Sequence, residues 1–212
     1  MTRDELIVAV ETFAHRTYGT LIDTFILLAE ARIARSCRAA EMVVFGSIDT
    51  AMPELYPNAW PLPVDFLQMR DVVVPTAVGR VSARAIGRRE IAEFTQGGGT
   101  AAVYSIYDGA IEIRPGPTGA LVNVIYYGRL PALVLPADTN ELINRYPELY
   151  LAATLAEVFR WEQDSEEQTK ALQLFVAEVE SVNAAAATAQ KGPGAGTFSG
   201  YNYAGRGAQR WA

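Results

Sequence analysis

The sequence predicts an α+β fold: a helical bundle drawn from both ends of the chain, an inserted antiparallel β module, and an extended C-terminal arm. Three observations carry this. Apolar residues recur at helical spacing near the N-terminus and again beyond Asn140. Between those segments lie short β-branched and aromatic runs separated by Pro, Gly and Asp-Gly turn signals. From Lys191 onward the chain is rich in glycine and free of acids. The expected bounds are 1–41 and 132–190 for the bundle, 42–131 for the β module and 191–212 for the arm.

In chain order, Thr2 and Glu5 have the spacing of a capping box, and Leu6, Ile7, Val10, Phe13 and Ala14 follow on one helical face. Gly19 is expected to break that helix and Thr20 to cap the next, whose face carries Ile22, Phe25, Ile26, Ala29 and Ile33. Arg32, Arg35 and Arg38 read as a solvated helix end, where cations favour the dipole, over a binding patch. Met42–Phe45 is a strand candidate. Pro53, Pro57, Pro61 and Pro63 make a passage that cannot be helix interior. Strands are expected at Val72–Val74 and around Val78–Val81, and one or two helical turns at Arg88–Phe94.

The sharpest β signal is Asp108-Gly109 between Val103–Tyr107 and Ala110–Arg114. A type I′ turn needs positive φ at both central residues, and Asp-Gly adopts it at little cost. Ile111 and Ile113 then share one face, Glu112 and Arg114 the other. Pro115–Gly119 reads as a turn and Leu121–Tyr127 as a third strand.

The most informative stretch is Asn140–Trp161. Asp138 and Glu141 have capping-box spacing for a short helix. Pro147 ends it and opens the next at the position where a missing N–H is harmless. Leu149, Ala152, Ala153, Ala156 and Phe159 form one stripe, and Leu151, Leu155 and Val158 a second beside it, the pattern of a helix buried between neighbours. Ser165 and Gln168 offer a capping box for a last helix with Leu172, Phe175, Val176, Val179 and Val182 inward. These two consecutive helices should pack antiparallel.

The arm has too little aliphatic content to fold alone. It nevertheless carries Phe198, Tyr201, Tyr203, Arg206, Arg210 and Trp211. Aromatic and arginine side chains are those that anchor interfaces, so these six are the candidate partner-contact residues.

Composition excludes several classes. Half of the 212 residues are hydrophobic, enough for a substantial core. No apolar run has the roughly 20 residues needed to span a bilayer, and the N-terminus lacks the order of a signal peptide, so no membrane partner is expected. Cys37 and His15 are the sole cysteine and histidine, which excludes an intrachain disulfide and a Cys/His zinc site within one chain. A net charge of −6 argues against wrapping nucleic acid. Gly97-Gly98-Gly99-Thr100 lacks the lysine and spacing of a phosphate loop, Ser105 lacks nucleophile-elbow glycines, and His15 is expected to cap or flank the first helix. No cofactor, metal or catalytic constellation is expected, and the chain reads as a non-enzyme.

The wording of four segments goes further. These are Leu62–Leu67, Tyr104–Pro117, Val124–Pro131 and Asn140–Trp161. In this order, between flanking helices, they resemble the head-to-tail adaptor proteins of short-tailed bacteriophages over about residues 1–185. The resemblance implies a virion protein made in the host bacterial cytoplasm. It implies a ring, commonly of twelve copies, below the portal protein, which retains packaged DNA and docks the tail nozzle and fibres. DNA would pass through without sequence-specific binding, repelled by a ring that carries several tens of negative charges, roughly twelve times the charge of one copy. The alternatives are a head-completion or tail-terminator ring, and a soluble enzyme or ligand-binding α+β domain.

Overall fold

Helix α1 (Arg3–Ala14) opens the chain in the computed structural model, which describes residues 1–51, 58–76, 79–94, 101–117 and 121–191. The Thr2 hydroxyl accepts from the Glu5 N–H at 3.3 Å and the Glu5 carboxylate accepts from the Thr2 N–H at 2.9 Å, the predicted capping box. The helix ends earlier than expected, at His15 with φ 52°, rather than at Gly19. Glu11 explains this: its carboxylate accepts the Tyr18 N–H at 3.0 Å and folds the chain back before the glycine is reached. Leu6 and Val10 are buried, while Phe13, expected beside them, is 62% exposed.

Helix α2 (Leu21–Ser36) buries all five residues of its predicted face. Thr20 is not a side-chain cap. Its backbone is already helical, and Leu21 N–H bonds the Tyr18 carbonyl instead. The arginine cluster is not a solvated helix end. Arg32 Nε donates to Glu157 Oε1 at 2.9 Å, and Arg38 Nε donates to Gln68 Oε1 at 2.7 Å. Arg35 alone of the three stays exposed. A 3-10 turn at Ala40–Met42 then buries Met42 among the helices, so the strand expected from Met42 starts one residue later.

Among the described residues seven strands follow: β1 (Val43–Asp49), β2 (Ala59–Pro61), β3 (Phe66–Thr76), β4 (Gly79–Ala85), β5 (Ala102–Tyr107), β6 (Ala110–Arg114) and β7 (Leu121–Gly128). Their order in the sheet is β1-β7-β3-β4-β5-β6-β2. One pair departs from the antiparallel expectation: β4 and β5 run parallel. The short helix α3 (Arg88–Glu93) lies in their connection, and a crossover of this length is what a parallel neighbour requires. β4 also divides its partners. Gly79–Ser82 pair with β3, Ala83–Ala85 with β5. Two register shifts in β3 add local twist. The sheet curls until its end strands β1 and β2 touch. In the predicted hairpin Asp108 and Gly109 have φ 50° and 73°.

Helix α4 (Glu141–Arg145) is capped by Asn140, not by Asp138. Asp138 instead accepts from the Val134 and Leu135 N–H groups at 2.9 and 2.6 Å, closing the turn before the helix. Helix α5 (Pro147–Glu162) starts with Pro147 in its first turn, as expected, and is buried from Leu149 to Val158 on nearly every side. Helix α6 (Ser165–Lys191) is capped by Asp164, whose carboxylate accepts the Glu167 N–H at 3.1 Å, so Ser165 is not its cap. Its inward residues are Ala171, Phe175, Val182 and Ala186, with Leu172 and Val179 half-buried; Val176 faces solvent.

Two hydrophobic clusters result. One lies among α1, α2, α4, α5 and α6; the other lies within the curled sheet, around Trp60, Val72, Ile111, Ile113 and Val124. Strand alternation joins them, because Tyr126 belongs to the sheet cluster and its neighbour Tyr127 to the helical one.

Asn140 is buried where these parts meet. Its Oδ1 accepts the Ile143 N–H at 2.9 Å, and its Nδ2 donates to the Pro131 carbonyl at 3.2 Å and to Tyr150 Oη at 2.8 Å. Asn140→Ala removes a cap and leaves buried partners unsatisfied, so chemical denaturation should show a loss of about 2–4 kcal/mol.

Candidate functional site

The six residues expected to contact a partner (Phe198, Tyr201, Tyr203, Arg206, Arg210 and Trp211) lie outside the described residues, as does Gly97–Thr100. What the structure brings together is a set of internal joints and several open apolar surfaces.

The joints link the segments that sequence analysis singled out. Tyr126 Oη donates to Asp65 Oδ1 at 3.0 Å, and the Arg129 N–H donates to the Asp65 carbonyl at 2.6 Å. Gly128 has no room for a side chain: a Cβ there would sit 2.8 Å from both Asp65 Oδ2 and Val44 Cγ2. Leu62–Leu67 and Val124–Pro131 therefore meet around Asp65. Asn140 then ties Pro131 to α4 and α5. Gly109 and Asn58 carbonyls accept from the Leu62 and Ile113 N–H groups, which fastens the short β2 segment to the hairpin. Another joint sits at the far end of α5. Tyr18 Oη donates to Glu162 Oε1 at 3.0 Å, and its ring meets Phe25 and Trp161 edge-on.

The buried acids are engaged in structure. Glu112 accepts from Tyr107 Oη at 2.6 Å and pairs with Arg114 at 2.9 Å. Glu157, at 4% side-chain exposure, pairs with Arg32 and with Arg160 at 3.6 Å. Glu30 accepts the Leu133 N–H at 2.9 Å, and burial raises its carboxyl above the usual range. Burial likewise raises the Cys37 thiol, so it is held in the less nucleophilic protonated form. His15 terminates α1 in the left-handed conformation. Among the described residues no group of three or more His, Cys, Asp or Glu side chains could hold a metal, and no helix is long and apolar enough to cross a membrane.

The open surfaces are apolar. Phe45 on the end strand β1 is 78% exposed, and Val8, Leu27, Val64, Val134 and Leu174 are also exposed. A cavity of about 350 Å³ between α2 and the segment after β7 is lined by Leu27, Ile33, Met42, Leu67, Leu130 and Tyr150 among others, with Arg35 and Arg129 beside them. A groove of about 290 Å³ lies between α1, α5 and α6. Single exposed apolar side chains are ordinary, but where apolar side chains lie together, as Phe13, Leu151, Phe159 and Leu174 do along this groove, they mark a surface for association.

Comparison with known families gives a match over residues 1–197 to the family described as SU10 adaptor protein. The chain belongs to the SU10 adaptor protein family. This is a family of phage head-to-tail adaptors, and it places the adaptor among the structural proteins of the bacteriophage virion. No curated protein matches the chain. The family assignment agrees with the resemblance drawn from the four segments, whose conspicuous residues act as joints within the adaptor's fold.

Sequence reasoning missed the α1–α5–α6 groove, because it exists only once three helices pack. The exposed Phe13, read as core, was its nearest signal.

Two outcomes test the joints. Arg32→Met leaves Glu157 buried with a single distant cation, and should cost about 3 kcal/mol, much of it recovered when Glu157→Leu is added. The Tyr126 phenol is pushed from 10.0 up to about 12, by burial first and then by its bond to Asp65. The folded state thus holds a proton that the unfolded state releases above pH 10. This contribution to stability is full below that pH and is lost as pH rises toward about 12. Stability measured through this window should fall less steeply in Tyr126→Phe.

Proposed function

We propose that the adaptor assembles as a ring, of twelve copies, that joins the portal protein to the tail nozzle and tail fibres. In this reading the ring retains packaged DNA and forms part of the channel through which DNA is ejected. The observation that carries it is the family match over residues 1–197, which spans every described residue. The physical character of the surface supports it. A subunit with two filled cores still exposes Phe13, Leu27, Phe45, Val64, Val134 and Leu174, which copies of itself or neighbouring virion proteins would cover.

The role assigned to each part follows from its chemistry. The helical part, 1–41 with 132–190, supplies subunit contacts, and the β module, 42–131, is the second body of the adaptor. The arm, 191–212, anchors assembly: an aromatic, arginine-bearing segment orders on a partner and so loses its entropy only at that step. The acidic charge suits a channel wall that DNA slides past, since repulsion keeps the phosphate backbone from adhering. The role is structural, with no chemical step.

Purified portal tests this. Portal rings should recruit the adaptor, and the mass of the complex should correspond to twelve added copies. A different copy number points to a head-completion or tail-terminator ring, and no recruitment overturns the assignment. Deleting Gly192–Ala212 should leave the circular dichroism spectrum and cooperative unfolding intact while weakening recruitment at least tenfold.

A further inference from the structure

The groove between α1, α5 and α6 is built for a particular kind of occupant. Leu151, Leu155 and Phe159 of α5 line it, with Phe13 and Leu174 on its sides, each 62% exposed. Acids stand around this apolar surface. Lys170, the cation at the groove, is already held by Glu166 and Glu167 at 2.8 and 2.7 Å. Glu148 and Glu178 pair with no cation among the described residues. Because α6 runs back along α5, these two carboxylates stand toward the same end of the groove.

An occupant that satisfies this surface brings large apolar side chains and positive charge, and no acids. The folded body does not. Of 18 basic and 24 acidic side chains, residues 192–212 hold two arginines and no acid, which leaves 16 basic against 24 acidic on the rest. A second folded copy would therefore set a net negative body against an acidic rim. The arm has the opposite character: Phe198, Tyr201, Tyr203 and Trp211 for the apolar surface, Arg206 and Arg210 for the carboxylates.

Reach is also sufficient. From Glu178 to Lys191 α6 rises roughly 20 Å, at 1.5 Å per residue. Gly192–Thr197, if extended, spans roughly 20 Å, so every arm aromatic lies far enough along the chain to return to that end of the groove. Most of the arm also lies beyond residue 197, where the family match stops.

We propose that the α1–α5–α6 groove is the seat of the C-terminal arm, with arm aromatics against Phe13, Leu151, Phe159 and Leu174 and arm arginines on Glu148 and Glu178. This deepens the assembly reading, in which the arm is an anchor, by naming the surface that receives it. It also explains why so apolar a groove persists on an exposed face: the groove is covered by the chain's own segment, from the same subunit or from an adjacent one.

Photo-crosslinking on the full-length chain tests this without portal. A benzophenone amino acid placed at Tyr201 should, on irradiation, yield crosslinked peptides that map to Phe13, Leu151–Phe159 or Leu174. Equal mixtures of isotopically light and heavy chains read the acceptor: another copy supports both the seat and the arm as an anchor, whereas the same copy supports the seat and overturns the arm's role in assembly. Leu174→Lys and Glu178→Lys should each cut the yield at least fivefold, with unchanged circular dichroism, and high salt should lower it in the unaltered chain. Crosslinks mapping elsewhere, no crosslink, or a yield indifferent to both substitutions would overturn the proposal. Failure of portal to recruit the adaptor while groove crosslinks persist would count against the adaptor-ring reading and leave this one standing.

Discussion

A single buried amide closes the passage from the sheet into the helices. The chain leaving β7 runs over the surface, with Leu133 buried and Val134 and Leu135 exposed, and must then start one short helix and the long central one. Each step exposes backbone groups that need partners. Asn140 serves three of them at once, accepting from Ile143 and donating to Pro131 and Tyr150. An aspartate could not do this, because both of its oxygens accept and the Pro131 carbonyl needs a donor. With that junction satisfied, α5 can bury both of its stripes between α1, α2 and α6.

The family assignment gives these joints their meaning. The segments that resembled phage adaptors supply contacts within the fold. They contain a carboxylate that accepts a phenol, a glycine with no space for a Cβ, and an asparagine that closes a turn. Asp65, Tyr126, Gly128 and Asn140 hold surfaces in position. For a protein that joins other proteins, the shape of the surface is the working part, and these residues fix that shape from within.

Much of this was legible in the chain and some was not, for identifiable reasons. The buried face of α2 followed from periodicity alone, since Ile22, Phe25, Ile26, Ala29 and Ile33 fall on one side of any regular helix. Asp108-Gly109 and Pro147 were legible because each satisfies a backbone requirement few residues meet. The cap of α4 was not, because Asp138 and Asn140 are both competent acceptors and the choice was made by Pro131 and Tyr150. Arg32 read as solvated because its partner Glu157 is 125 residues away. The parallel β4–β5 pair was hidden for a related reason: strand patterns alone do not give the order of strands. The groove needed Phe13 and Leu174 from helices distant in sequence. The arm residues fall outside the described part of the chain, so they entered the argument through their chemistry and the complementary chemistry of the groove.

The adjacency of Tyr126 and Tyr127 has a mechanical consequence. One ring is embedded in the sheet cluster, the next in the helical cluster, and a single peptide unit separates them. Two bodies that share a strand in this way cannot slide past each other without breaking the alternation of that strand. A push delivered to the sheet by a docked neighbour is therefore transmitted through covalent bonds into the helices. The subunit behaves as a stiff strut at that point rather than as two beads on a string.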